Sequence, residues 1–149
     1  MTRWILIFFT IVASSLASIS VNAQVSDEEL FQSTLQKAKA GDADAQYTLG
    51  YKYTHDRWDE TEAVKWYRLA AEQGHAPAQH KLGVKYWYGD GVPEDIVKAY
   101  SWVSLSAEQG SRLAIAKKLS LAKWMTKEQI AKAQELATSC FANNYKNCD

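Results

Sequence analysis

The chain is poor in the residues that break or staple a fold, with only two prolines and two cysteines in 149 residues. So few prolines exclude the breaker-rich composition of a disordered segment. It also has no excess charge of either sign: 17 basic side chains balance 17 acidic ones, and no Lys/Arg block occurs. Recognition of nucleic acid and polybasic adhesion to a membrane both need a summed positive field, so neither is expected. No apolar run reaches the ~20 residues that cross a hydrocarbon core. What is present is 47% hydrophobic and 12% aromatic residues, enough apolar surface for one domain or a short helical array.

The longest apolar stretch, Trp4 to Ala13, follows Arg3 and gives way to small and polar residues up to Val21-Asn22-Ala23. A positive start, a short apolar centre and small residues three and one before a break describe a secretory signal peptide over residues 1–23, cleaved before Gln24. Residues 24–149 are then an exported domain, periplasmic or secreted, with no stable membrane anchor. Cys140 and Cys148 both remain in it, near the C-terminus. In an oxidising compartment they are expected to pair, closing a loop of about nine residues worth ~2.5 kcal/mol.

The chain repeats itself. Ala45, Gln46, Leu49, Gly50, Lys52 and Tyr53 recur as Ala78, Gln79, Leu82, Gly83, Lys85 and Tyr86, a shift of thirty-three. After three inserted residues, Asp59, Ala63, Trp66 and Ala71 to Gly74 recur as Asp95, Ala99, Trp102 and Ala107 to Gly110, a shift of thirty-six. A period of this length is the mark of a helical solenoid. Within each unit the apolar spacing predicts two helices, the second opened by Asp59 or Asp95 as N-cap and closed by Gly74 or Gly110. Gly50 and Gly83 fall inside helices, where glycine costs ~1 kcal/mol, so each is expected to admit a bulky neighbour, with Trp66 and Trp102 as candidates. The domain divides into a cap helix over residues 24–41, opened by a capping box at Ser26 and Glu29, and two repeats over 42–74 and 75–110. Residues 111–149 form a degenerate third unit and a disulfide-closed tail, in which Thr126 and Gln129 make a further capping box.

AQYTLGYKY and AQHKLGVKYWYGDGV, followed by EAVKWYRLAAEQG and KAYSWVSLSAEQG, resemble Sel1-like repeats, whose pattern runs A-x-x-x-L-G-x-x-Y, G-x-G-V, K-A-x-x-W-Y-x-x-A-A-x-x-G. The resemblance implies an all-α fold, a right-handed alpha/alpha solenoid related to tetratricopeptide repeats and used as a scaffold for contacts with another protein. The first repeat departs from the pattern: Thr54 to Trp58 replace the turn that spans Gly89 to Glu94 in the second and are three residues shorter.

Tetratricopeptide geometry, carried onto this chain, places Asp44, Tyr47, Tyr51, His55, Pro77, His80, Val84, Trp87 and Tyr88 along the concave face. Tyr and Trp dominate binding hot spots, which makes this strip the candidate partner groove; the competing reading is that Tyr47, Tyr51 and Trp87 pack as core between repeats. No catalytic residue, metal or cofactor is expected. The hydrolase, zinc-protease and nucleotide-binding signatures are missing, and His55, His75 and His80 do not share a face. Two further functions follow from the resemblance alone. Similar short exported proteins act as immunity factors that neutralise a toxin, and cysteine-rich relatives bind or hydrolyse beta-lactams. Those relatives carry C-x7-C pairs in successive repeats, whereas here only Cys140 and Cys148 have that spacing.

Overall fold

The computed structural model describes residues 26–146 and 148, so the signal peptide expected over residues 1–23 lies outside it. All regular structure in the described residues is helical. Helix α1 runs through residues 26–39. It is followed by α2 (Ala43–His55), α3 (Glu60–Ala71), α4 (Ala76–Tyr88), α5 (Ile96–Glu108), α6 (Arg112–Ala122) and α7 (Lys127–Ala142). Ser26, expected as the N-cap of α1, is itself helical and is the first described residue.

Side chains at the other helix starts explain where those helices begin. Asp42, His75 and Ser111 each accept the backbone N–H three residues on, at 2.7, 3.2 and 3.4 Å. Asp59 and Asp95 cap α3 and α5 in the same way. Thr126 and Gln129 make the reciprocal capping box of α7, at 2.9 and 3.2 Å. Each such cap satisfies a donor that the first helical turn leaves free, worth ~1 kcal/mol.

α2 packs on α3 and α4 on α5 as antiparallel hairpins, and the contacts of α3 with α4 and of α5 with α6 stack them into a solenoid. Gly50 and Gly83 allow the hairpins to close, but their neighbours are not the tryptophans. A Cβ on Gly50 would lie 2.8 Å from the Tyr67 ring, and one on Gly83 would lie 2.6 Å from Val103 and 2.8 Å from the Ala99 carbonyl oxygen. Tyr67 and Val103 sit one residue beyond Trp66 and Trp102, about 100° further round the helix. Trp66 instead packs against the cluster of Phe31, Ala38, Ala45 and Leu49, and Trp102 is buried in the main core. Enclosure pushes the Tyr67 hydroxyl up to about 12.

The shorter turn of the first repeat keeps the essential bond of the longer one. Asp59 donates its N–H to the Tyr53 carbonyl at 3.0 Å, and Asp95 donates to Tyr86 at 2.9 Å. Trp58 completes the short turn at φ 55, in the left-handed region. In the long turn Gly91 has φ 73, and a Cβ there would be 2.3 Å from the Glu60 carbonyl oxygen, so the turn lies directly on the start of α3.

Two buried glutamines tie each unit to the previous helix. Gln46 donates to the Ala38 carbonyl at 3.1 Å and accepts from Gln73 at 2.7 Å. Gln79 donates to the Ala71 carbonyl at 3.2 Å and accepts from Gln109 at 2.8 Å. Because Ala38 plays the part of Ala71, α1 occupies the place of a second helix whose own first helix is not among the described elements.

The third unit does not close as a hairpin. α7 packs along α5, and its contact with α6 is slight. Two local features account for this. The glycine position of the first helix is filled by Leu119, which would collide with a close second helix. The outer face of α5 carries Ser101, Ser104 and Leu105 where α3 carries Lys65, Arg68 and Leu69, and all three α5 residues are buried. Against that small, uncharged surface α7 buries Ala133, Ala137 and Cys140. The Cys140–Cys148 disulfide forms, with Cα atoms 4.8 Å apart. It folds the tail back so that the Tyr145 ring covers Gly74, 2.8 Å from where a Cβ would stand.

Candidate partner-binding face

The first helices α2, α4 and α6 follow one another along one side of the stack, and side chains link them there. Lys81 of α4 holds its ammonium 6.0 Å from the Tyr51 ring of α2. Lys117 of α6 lies 5.3 Å from the Trp87 ring and 4.9 Å from the Tyr88 ring of α4. Cations over aromatic faces at these distances are attracted by the ring quadrupole, which holds both partners in place. His80 stands between the two lysines. Burial, and then the Lys81 and Lys117 charges, hold its imidazole below the ordinary histidine range.

The face separates the expected residues into two groups. Tyr51 and Tyr88 are exposed, at 47% and 61%, and His55 stacks on Tyr51 with ring centroids 4.1 Å apart. His55 is the last residue of α2, not part of the irregular loop expected there. Tyr47 faces inward: its ring is 5.8 Å from Tyr67 and 5.0 Å from His75, and it packs against the main core. Trp87 is half-buried against the same core and presents its remaining surface beside Tyr88. Val84 and His80 are half-buried, and Pro77 is exposed in the first turn of α4. Asp44 is occupied by His75, whose Nε2 lies 3.0 Å from its carboxylate. Since His75 Nδ1 accepts the Ala78 N–H, Nε2 carries the proton and donates to Asp44.

Lys81 and Lys117 belong to this face as well. Their spacing from the aromatic residues crosses from helix to helix, and no periodicity within one helix reveals it. Among the described residues, no three or more His, Cys, Asp or Glu side chains gather as a metal site would require. No described helix is long and apolar enough to cross a membrane.

Residues 43–75 and 76–111 match the Sel1 repeat. No curated protein sequence matches the chain. Among solved structures it is similar to a protective antigen present in uropathogenic Escherichia coli strains and displaying an SLR fold, with 29% identity and a TM-score of 0.74 over 79% of this chain. It is also similar to a Sel1 repeat protein from Oxalobacter formigenes, with 28% identity and a TM-score of 0.57 over 77% of this chain. The chain spans 26% of the first of these and 56% of the second. With both units matched and their helices stacked in the shared all-α solenoid, residues 43–111 are a pair of Sel1 repeats.

Proposed function

We propose that this is an exported binding module that recognises another protein through the face of α2, α4 and α6, and that it acts by binding without catalysis. The observation that carries the reading is the continuity of that face. Tyr51, His55, His80, Trp87 and Tyr88 run across two helices with Lys81 and Lys117 resting on their rings. Rigid aromatic side chains already ordered by their neighbours lose little rotamer freedom on binding, the property that makes Tyr and Trp effective anchors. Export is supported by the leader pattern of residues 1–23 and by a disulfide, which persists in an oxidising compartment.

The test is affinity capture from a native envelope extract with oxidised residues 24–149, beside a Tyr51→Ala/Tyr88→Ala variant. Both substituted side chains are exposed, so the variant should match the parent in melting temperature. A partner retained by the parent and lost by the variant supports the face. Equal capture by both baits assigns binding to another surface. If the captured partner is an enzyme that the module silences, the binding is that of an immunity or inhibitor protein.

A further inference from the structure

A balanced total charge conceals a strong separation along the stack. Residues 26–74 carry ten acidic and six basic side chains, whereas residues 111–149 carry three acidic and seven basic. Between Ser111 and Lys127 there are five cations and no acid. One end of the solenoid is therefore negative and the other positive.

The two ends are also complementary in shape. Between α5 and α6 lies a groove of about 270 Å³, lined on α6 by Ile115, Lys118, Leu119 and Ala122. In the preceding unit the corresponding residues are Gln79, Leu82, Gly83 and Tyr86, all buried beneath α5 in its role as second helix. The groove is the seat of a second helix that α7, lying on α5, does not take. At the opposite end α1 holds the place of a second helix whose first helix is not among the described residues, with Leu30 58% exposed. Leu30 and Thr34 hold the positions of Ala63 and Tyr67, which face the glycine in a closed hairpin. In a closed hairpin a Cβ at the glycine position lies 2.8–3.1 Å from a carbonyl oxygen of the second helix, so with Leu119, 65% exposed, at that position α1 would sit farther from α6 than α5 does from α4, and the small Thr34 would face the leucine.

We infer that the chain associates head to tail, α1 of a second copy filling the vacant seat on α5 and α6 of the first. The hairpin is antiparallel, so the start of α1 meets the end of α6. Asp27 and Glu29 of the second copy thereby approach Lys123 and Lys127, while Glu28 keeps its own ion pair with Arg57 at 3.1 Å. α2 of that copy then packs along α6 and continues the stack. The contact joins two different surfaces, so it does not close on itself and can propagate. It is separate from the α2–α4–α6 face and stands or falls without it.

Sedimentation velocity on oxidised residues 24–149, which contain every described element, tests this. Association should rise with protein concentration and weaken roughly tenfold between about 20 mM and about 500 mM salt, because the attracting charges are exposed. Leu119→Glu and Leu30→Glu should each leave the chain folded and monomeric, since both side chains are exposed. Mixing the two variants should restore one intact interface and give a 1:1 dimer that grows no further. A monomer at all concentrations in low salt, association that survives either substitution, or variants that fail to pair when mixed would overturn the proposal.

Discussion

Gln109 donates its side-chain N–H to the Gln79 side-chain oxygen at 2.8 Å, and Gln79 passes a hydrogen bond on to the Ala71 carbonyl at 3.2 Å. Gln79 is wholly buried, so removing it breaks both bonds and leaves a cavity, while the Ala71 carbonyl keeps the Gly74 N–H and Gln109 keeps only its long bond to the Leu105 carbonyl. Gln79→Ala is expected to cost about 3 kcal/mol, by chemical denaturation. Gln79→Ala/Gln109→Ala should cost less than the sum of the two single variants, because each already breaks the same bond.

The two helix glycines should respond unequally to alanine. At Gly83 the new Cβ meets a backbone carbonyl at 2.8 Å, which cannot turn aside. At Gly50 it meets the Tyr67 ring at 2.8 Å and a carbonyl only at 3.1 Å. Overpacking costs ~1–3 kcal/mol, against ~1 kcal/mol gained in helix propensity. Gly83→Ala should destabilise by about 2 kcal/mol and Gly50→Ala by less, as thermal unfolding of the two variants would report.

His80 makes stability depend on pH. Burial and then Lys81 and Lys117 lower its folded pKa below the unfolded value of 6.5. Below that value the unfolded chain takes up a proton that the folded chain resists, so stability falls as pH drops and recovers above it. His80→Gln should reduce the loss of melting temperature between about pH 7.5 and about pH 5. An unchanged slope would show that other groups carry it.

Reducing the disulfide should loosen the tail without dissolving the solenoid. Closure of a loop of about nine residues contributes ~2.5 kcal/mol through the unfolded state. Hydrogen exchange should then rise along residues 140–146 and at the end of α3, where Tyr145 covers Gly74. The glutamine-linked repeats should keep their protection.

Much of this architecture is legible in the residues. Asp59, Asp95 and Thr126 announce helix starts because a cap is a local bond, and the Leu-Gly pairs mark hairpins because only glycine admits so close a neighbour. The identity of that neighbour is not legible. Trp66 and Tyr67 are both large aromatics, and only the rotation of α3 against α2 decides which faces Gly50. The placement of α7 depends on the outer face of α5, which no single-helix pattern relates to a helix twenty residues on. The candidate face is half-legible: tetratricopeptide geometry carried onto the chain picks out the exposed Tyr51 and Tyr88, while Tyr47 turns inward because Tyr67 and His75 offer it a packing site.

The seat of α7 on Ser101, Ser104 and Leu105 also orders how such an array can lengthen. A copy of the α2–α3 unit inserted after α5 would separate α7 from the one described second helix whose outer surface is small enough to receive it, and would lay it against a face like that of α3, where Lys65 and Arg68 stand. A unit added between α3 and α4 would leave the α5–α7 closure untouched and repeat the Gln-to-Ala link already made twice. Growth from within, ahead of a fixed terminal cassette, is the route this packing leaves open.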